Sequence, residues 1–331
     1  MLEHGGRLIA AAQTYGIPPA DWLDLSTGIN PQGWPVPGLP LDVWRQLPED
    51  EDGLLPAAVA YYGAAGLIAT AGSQQAIQAL PYLRPPGRVG LLTPTYAEHG
   101  RAWQRAGHAI VELDGGMLTD DVGSDVDVVV LVNPNNPTGR LFPAATLMSW
   151  HVALAARGGW LVVDEAFVDV APEHSLAGQA GLPGLVILRS LGKFFGLAGI
   201  RAGFVLAWPG LMQSLQTALG PWPLANPSRW AAREALQDRA WQQRARFQLK
   251  QSSTRLAALL GRHGLQPAGG TALFQYVPAA GAAKIHAQFA RQGVLVRLFT
   301  APAALRFGLP GTEPEWVRLA AALSQLELKP N

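Results

Sequence analysis

The sequence predicts an α/β fold with a large domain built on a mostly parallel sheet, followed by a smaller α+β domain. Short apolar runs alternate with helical patterns between residues 85 and 210, and polar turns follow several of these runs. Because the runs are rich in Val, Ile and Leu, they indicate strands buried on both faces of a parallel sheet. The predicted strands cover residues 89–93, 109–113, 126–132, 160–163, 185–188 and 203–207, and the predicted crossover helices cover 97–106 and 144–157.

The pattern changes near Gly220, where three prolines follow within seven residues. Asn226 and Pro227 are typical of a helix start, and one long helix is predicted from there to about residue 260. The later predicted elements are strands at 271–277, 293–299 and 305–309 and an amphipathic helix at 313–326. We therefore expect a large domain of residues 34–220 and a small domain that combines residues 1–33 with 221–331.

The composition limits the classes of function. The 331 residues include no cysteine, which excludes disulfides, thiolate nucleophiles and cysteine-ligated metals, and no metal site is predicted. The formal net charge of +1 without a basic block gives no support for nucleic-acid binding. No apolar run suits a signal peptide or a membrane span, so a cytoplasmic protein is expected. Only 15% of the residues are charged, which favours a buried interface between subunits.

A lysine, Lys193, follows a predicted buried strand within the sequence SLGKFFGLAGIRAG of residues 190–203. Burying an ammonium group is costly, but desolvation turns a lysine amine into a nucleophile that forms Schiff bases. Arg201 can bind a phosphate through two N–H groups, and Ser190 can add a hydroxyl donor. The alternative is a surface loop with two ordinary cations.

Three further polar segments accompany predicted strands. Asn136, in NPNNPTG, could bond a phenolate oxygen or belong to a plain Asn-Pro turn. Asp164, in DEAF, could pair with a pyridinium nitrogen or cap a helix. Ser73, before a helix predicted at 76–83, could bind phosphate with the helix N-terminus or act as an N-cap. Since ligands of α/β sheets bind at the carboxyl ends of strands, we expect these segments to meet there.

These four segments, in this order and spacing, resemble those of the fold-type I pyridoxal 5′-phosphate (PLP) enzymes of the aspartate aminotransferase superfamily. The resemblance covers nearly the whole chain and implies a PLP-dependent transferase fold of type I, assembled as a homodimer. It also implies that Lys193 and Asp164 are catalytic, with Lys193 carrying PLP as a Schiff base and Asp164 pairing with the ring nitrogen. The cofactor-binding residues that it implies are Gly72, Ser73, Gln74, Tyr96, Asn136, Asp164, Phe167, Ser190, Lys193 and Arg201.

Tyr96, Phe167 and Leu47 stand at positions where the superfamily has characteristic aromatic residues. Tyr96 stands where an aromatic ring stacks on the pyridine in this superfamily, although a tyrosine of the core is the alternative. Phe167 stands where many relatives have a tyrosine that contacts the ring oxygen, so Asn136 would have to do more here. Leu47 replaces a tyrosine that reaches the phosphate of the neighbouring subunit, and we assign Leu47 no cofactor role.

The N-terminal sequence narrows the activity. The sequence HGGR of residues 4–7 and the sequence LDLSTGINPQG of residues 23–33 resemble the opening of the L-threonine-O-3-phosphate decarboxylases of cobalamin biosynthesis. This resemblance implies conversion of L-threonine O-3-phosphate to (R)-1-aminopropan-2-yl phosphate and CO2. The main alternative is an aminotransferase of the histidinol-phosphate type, and a non-catalytic binding or regulatory protein is a further one.

Five residues are expected to bind this phosphorylated amino acid. Arg306, in ALRFG, matches the arginine that binds the α-carboxylate in the superfamily, and Asn30 could contact the same group. Arg297 and His4, with the backbone N–H of Gly5, could bind the phosphate. The alternatives are a surface strand arginine at position 306, a structural ion pair at 297 and a disordered terminal residue at 4.

Overall fold

The computed structural model describes residues 4–114 and 125–327. Its α-helices are α1 (Leu8–Tyr15), α2 (Leu54–Tyr62), α3 (Gly72–Ala79), α4 (Glu98–Arg105), α5 (Ala144–Ala155), α6 (Pro209–Leu219), α7 (Asn226–Gln237), α8 (Arg239–Arg262), α9 (Ala282–Arg291) and α10 (Glu313–Ser324). Its strands are β1 (Leu23–Asp24), β2 (Ile68–Thr70), β3 (Arg88–Thr93), β4 (Ala109–Asp114), β5 (Val128–Val132), β6 (Trp160–Asp164), β7 (Leu185–Ser190), β8 (Gly203–Leu206), β9 (Gly269–Thr271), β10 (Phe274–Pro278), β11 (Val294–Leu295), β12 (Arg297–Thr300) and β13 (Ala303–Gly308). Among these residues, every helix is too short or too polar to cross a bilayer.

Internal contacts divide the chain into two compact units. The first unit comprises Met1–Gly33, Pro137–Gly139 and Gln243–Asn331, and the second comprises Trp34–Asn136 and Arg140–Gln242. The domain boundaries expected from the sequence, residues 34–220 against 1–33 with 221–331, remain a prediction.

The second unit contains a seven-stranded sheet with the strand order β2-β8-β7-β6-β5-β3-β4. The neighbouring strands from β4 to β7 pair in parallel, and β8 pairs antiparallel with both β7 and β2. Its central strands are buried along their whole length, as the continuous runs of Val, Ile and Leu predict. The predicted α/β class with a mostly parallel sheet is therefore confirmed.

The carboxyl ends of several strands share one edge of this sheet. Thr70, at the end of β2, and Ser190, at the end of β7, both pair with Gly203, the first residue of β8. One level below, Asp164 at the end of β6 pairs with Val132 at the end of β5. This edge therefore gathers the segments that follow β2, β5, β6 and β7 and the segment that precedes β8.

The first unit contains a four-stranded antiparallel sheet with the order β12-β13-β10-β9, and β1 pairs in parallel with β11. Helix α9 packs on β12 and β13, where the rings of Phe289 and Phe307 meet edge to face at 5.5 Å. Helix α10 begins with a capping box, in which Thr312 and Glu315 satisfy each other's backbone N–H groups. The small α+β arrangement predicted from the sequence is thus confirmed.

The predicted helix from residue 226 to about 260 is wrong as one element, because α7 and α8 are separate helices. The chain leaves the helical conformation at Asp238, which has φ −79° and ψ 73°. Asp238 Oδ1 accepts a hydrogen bond of 2.9 Å from the Trp241 N–H, and its Oδ2 accepts one of 3.1 Å from Trp34 Nε1. Asp238, whose side chain caps the start of α8, therefore interrupts an otherwise continuous helical pattern.

Two predicted strands are each divided in the structure. The segment 271–277 belongs to a hairpin, in which β9 and β10 pair antiparallel. At the turn, Thr271 Oγ1 accepts a hydrogen bond of 3.1 Å from Leu273 N. The segment 293–299 contains β11 and β12, which belong to different sheets because β11 pairs with β1 and β12 pairs with β13. Apolar periodicity does not reveal such a change of partner.

We expect Gly203→Ala to lower the free energy of unfolding by about 2 kcal/mol, the usual cost of overpacking. A Cβ atom at Gly203 would lie 2.6 Å from Ser73 N and 2.8 Å from Arg189 O, and both are backbone atoms. A Cβ atom at Gly199 meets open space, so Gly199→Ala is the matched control and should change stability by less than about 0.5 kcal/mol. Urea unfolding measures both, and equal effects would contradict the close packing of α3 on β8.

Candidate active site

The ten residues predicted to bind PLP all lie in the second unit, and the five predicted to bind substrate all lie in the first. Lys193 follows β7 and lies in a segment whose next two residues, Phe194 and Phe195, are fully buried. The Lys193 amine is 5.5 Å from the ring centroid of Phe167, which follows β6. The Phe195 carbonyl accepts a hydrogen bond of 2.8 Å from Trp34 N. The segment after the lysine is therefore anchored in the core, and the amine lies beside the Phe167 ring.

Asp164 is a buried carboxylate with two donors. Its Oδ2 lies 2.9 Å from His99 Nε2, and its Oδ1 accepts a bond of 3.0 Å from the Ala166 N–H. His99 is itself buried, on α4. His99 was not predicted from the sequence, and the available signal was its closeness in sequence to Tyr96, whose ring meets the His99 ring edge to face at 6.1 Å. Both contacts orient the carboxylate, which is what a partner for a charged ring nitrogen needs.

Tyr96 belongs to a cluster of polar side chains between α3 and α4. Its hydroxyl donates a hydrogen bond of 3.1 Å to Gln74 Oε1, and Gln74 Nε2 donates one of 3.4 Å to Glu98. Burial, with the nearby carboxylates of Glu98 and Asp164, raises the pKa of Tyr96 to about 12. Tyr96 is therefore a neutral ring at physiological pH and can face an aromatic ligand without adding charge.

Gly72, Ser73 and Arg201 form a cationic cradle. Helix α3 begins at Gly72, which has φ +71°, and the preceding residue Ala71 has no side chain that could cap the helix. Ser73 is therefore inside the first turn and is not the N-cap. A Cβ atom at Gly72 would lie 2.8 Å from Arg201 Nη2, so the guanidinium stands directly over the helix start. Helix N–H groups and a guanidinium in this arrangement suit a phosphate.

The asparagines of NPNNPTG differ in their contacts. Asn133 Oδ1 accepts a hydrogen bond of 2.8 Å from the Phe142 N–H, and Asn133 Nδ2 donates one of 3.2 Å to the Phe142 carbonyl. Asn135 Nδ2 donates a hydrogen bond of 2.9 Å to the Pro94 carbonyl. These two residues hold the turn in place. Asn136 is half-buried at the same sheet edge. Ser190 is also half-buried there, and its hydroxyl oxygen accepts a bond of 3.2 Å from Gly192 N.

A buried ion cluster next to these residues was also missed. Arg189 lies on β7, and its guanidinium bonds Glu165 at 2.6 Å and Asp169. Glu165 further accepts bonds from Ser175 Oγ at 2.5 Å and Leu176 N at 2.7 Å. The available signals were an arginine within the apolar strand LVILRS and the acids Glu165 and Asp169 within DEAFVD, because buried charges require partners.

In the first unit, two arginines occupy facing positions of a β-ladder. Arg297 on β12 pairs in register with Arg306 on β13, so their side chains share one face of the sheet. Arg306 is only 5% exposed, which excludes a surface arginine at this position. Burial and the neighbouring Arg297 lower the pKa of Arg306 to about 9. Two cations so close together suit a ligand with anionic groups.

The other expected substrate residues lie near Ser26 and in the loop that follows it. His4 is exposed, and the backbone of Gly5 lies against the Ser26 carbonyl. Asn30 is buried, and its Oδ1 accepts a bond of 2.9 Å from Gln32 N. Asn30 therefore shapes its own loop, and its role toward substrate stays a prediction.

The residues of the second unit fit the cofactor that the sequence resemblance implies. The sheet edge holds a lysine amine, a carboxylate with fixed orientation and the Gly72–Arg201 cradle, which an added Cβ atom would fill. A primary amine, an acceptor for a charged ring nitrogen and a phosphate site are the groups that PLP requires.

Comparison with known proteins places this arrangement in a family. Residues 54–329 match the family model described as aminotransferase class I and II. The chain belongs to this family. The superfamily predicted from the four polar segments is therefore confirmed.

Within this family, the chain is similar to proteins of a named activity. It is 53% identical to a threonine-phosphate decarboxylase from Pseudomonas aeruginosa, over 98% of this chain and 97% of that one. It is 40% identical to a threonine-phosphate decarboxylase from a Sinorhizobium species, over 99% of both chains. A histidinol-phosphate aminotransferase from Sinorhizobium meliloti, crystallised in complex with pyridoxal-5′-phosphate, has a TM-score of 0.81 at 22% identity and covers 97% of this chain and 94% of its own. This last likeness confirms the family fold.

We expect Gly72→Ala to weaken PLP binding at least about 10-fold, because its Cβ atom would displace the Arg201 guanidinium from the helix start. Gly63→Ala is the matched control: Gly63 has a similar φ of +65°, but its Cβ atom would meet open space. Both variants bear the same backbone strain of about 1 kcal/mol. Titration of each protein with PLP measures the difference, and equal loss of affinity would refute the cradle.

We expect His99→Phe to lower PLP affinity about 10-fold, because Asp164 loses one of its two donors and with it a fixed orientation. His108→Phe is the control, since His108 is also buried but bonds the backbone at Gly87 and Pro81. The control should lose stability while retaining PLP. If both variants keep the affinity of the parent protein, His99 does not support Asp164.

Proposed function

We propose that this protein decarboxylates L-threonine O-3-phosphate to (R)-1-aminopropan-2-yl phosphate in cobalamin biosynthesis, with PLP as its cofactor. The observation that carries the proposal is the facing pair Arg297 and Arg306, because this substrate has a phosphate and a carboxylate. The 53% identity to a threonine-phosphate decarboxylase over nearly the whole chain supports the same substrate.

The cofactor would be held by residues at the edge of the large sheet. Lys193 would bind it through the side-chain amine, and Asp164, oriented by His99, would accept a hydrogen bond from the ring nitrogen. Arg201, Ser190 and the first N–H groups of α3 would bind the phosphate, with Asn136 donating to the ring oxygen and Tyr96 and Phe167 beside the ring. When bound, PLP accepts the electron pair that the departing CO2 leaves at the α-carbon.

The remaining steps belong to the chain's own residues. Arg306 would bind the α-carboxylate, with Asn30 as a further contact, and Arg297 with His4 and the Gly5 N–H would bind the substrate phosphate. Loss of CO2 leaves the α-carbon needing one proton, which the Lys193 amine would donate. The balance is one substrate molecule and one proton for one amine and one CO2.

The protein is proposed to work as a homodimer. Large apolar side chains are exposed in the segment between β1 and α2, where Leu41, Trp44 and Leu47 are each more than 60% accessible. Exposed apolar side chains clustered in one segment are typical of surfaces that bind another protein chain. The low content of charged residues supports the same proposal.

The proposal is tested by incubating the PLP-loaded protein with O-phospho-L-threonine in the absence of any keto acid. We expect CO2 release and an amine that mass spectrometry identifies as aminopropanol phosphate. Arg297→Gln should raise KM about 10- to 100-fold, the cost of losing a charge-assisted contact. Lys193→Ala should lower kcat at least about 1,000-fold, whereas Lys284→Ala, which removes an exposed lysine of α9, should leave kcat unchanged.

An aminotransferase would give the opposite result. It would release no CO2 from O-phospho-L-threonine and would convert histidinol phosphate only when a keto acid is added. That outcome would overturn the proposed decarboxylation while leaving PLP binding intact.

A further inference from the structure

The two glycines of the N-terminal segment serve a close contact with Ser26. The Gly6 N–H donates a hydrogen bond of 2.8 Å to Ser26 Oγ. A Cβ atom at Gly5 would collide with the Ser26 carbonyl oxygen, so the Gly5 backbone lies directly against this residue. Gly6 has φ +77°, a conformation that favours glycine. A side chain at either position would disturb the contact.

Ser26 also contacts the buried arginine of β13. Its carbonyl oxygen accepts a hydrogen bond of 2.8 Å from Arg306 Nη2, and Ser26 itself is only 2% exposed. The Arg306 guanidinium lies 5.0 Å from the ring centroid of Phe274, which limits its movement on another side. Ser26 therefore binds the N-terminal segment through its hydroxyl and Arg306 through its carbonyl oxygen.

The hydroxyl of Ser26 is oriented by Asp24. Asp24 Oδ1 accepts the Ser26 N–H at 2.8 Å and the Ser26 hydroxyl hydrogen at 2.6 Å. Because the hydroxyl hydrogen is used toward Asp24, a lone pair of Oγ is available for Gly6. The neighbouring Leu25 is bonded on both sides, with its N–H to the Leu295 carbonyl and its carbonyl to the Gly308 N–H. Ser26 is thus a fixed point of the first unit.

We propose that Ser26 is a positioning residue that fixes residues 4–6 beside Arg306 and so tightens binding of the phosphate end of the substrate. This rests on the proposed function, in which His4 and the Gly5 N–H bind that phosphate. Ser26 acts through this segment, because its hydrogen bonds go to Gly6, Asp24 and Arg306. A segment fixed before binding loses less conformational entropy when the phosphomonoester arrives, which improves affinity.

Ser26→Ala tests the proposal, since it removes the hydroxyl and keeps the carbonyl that Arg306 uses. We expect KM for O-phospho-L-threonine to rise about 10-fold and kcat to fall by a smaller factor, as the loss of one buried hydrogen bond predicts. The inhibition constant of inorganic phosphate should rise by a similar factor, while PLP affinity stays the same. Ser26→Thr keeps the hydroxyl and should restore part of the loss.

Two further variants separate positioning from general damage. Gly6→Ala strains the backbone whose N–H bonds the Ser26 hydroxyl, so it acts on the same hydrogen bond, and the double variant with Ser26→Ala should be no worse than the poorer single variant. Ser253→Ala removes another hydrogen-bonded serine hydroxyl of the first unit, bonded to Thr271 and Gln275, and should leave KM unchanged. Melting temperatures of all variants show whether folding is affected.

The outcomes are distinct. If Ser26→Ala lowers kcat and PLP affinity together, or leaves phosphate inhibition unaltered, the positioning role is wrong. Calorimetric binding of O-phospho-L-threonine to the parent protein and to Ser26→Ala gives the same comparison without turnover. A parent protein that binds this compound but releases no CO2 would refute the proposed function, and the ratio of the two dissociation constants would still decide the role of Ser26.

Discussion

The buried charge of Arg189 ties together the part of the large sheet on which the candidate site depends. Its guanidinium bonds Glu165 and Asp169, which lie in the segment after β6, while Arg189 itself is part of β7. Glu165 directly follows Asp164, and Ser190 directly follows Arg189. The three charges are stable in the interior only as a set, because any one of them alone would be buried without compensation. The relative position of Asp164 and the segment of Lys193 is therefore fixed by electrostatics beneath the sheet edge.

A reversal of one strand completes the site. If β8 ran parallel to β7, its first residue would lie at the opposite edge of the sheet. Arg201, which precedes β8, would then lie far from the start of α3. Because β8 is antiparallel, Arg201 precedes the strand at the edge where β2 and β7 end. The absence of a side chain at Gly203 then allows α3 to approach β8 closely. The antiparallel direction of β8 and the small size of Gly203 together place the Arg201 guanidinium at the N-terminus of α3.

The sequence predicts features that depend on neighbouring residues, and it does not predict contacts between residues far apart in the chain. Strands β5 and β6 are continuous apolar runs of strand length, and Lys193 and Asp164 stand out because they follow such runs. His99 was missed because its partner Asp164 is 65 residues away, and Ser26 because Arg306 is 280 residues away. Asp238 was read as part of a helix, since its capping role depends on how the chain turns there. Pairings of this kind carry no periodic signal.

The facing arginines have a consequence for how long the protein survives. Like charges at facing positions of a ladder destabilise the strands that carry them, and here burial adds to the cost for Arg306. An anion bound by this pair would offset part of that repulsion and would favour the native state more as its concentration rises. The thermal stability of the protein would then depend on the anions of the medium as well as on the chain.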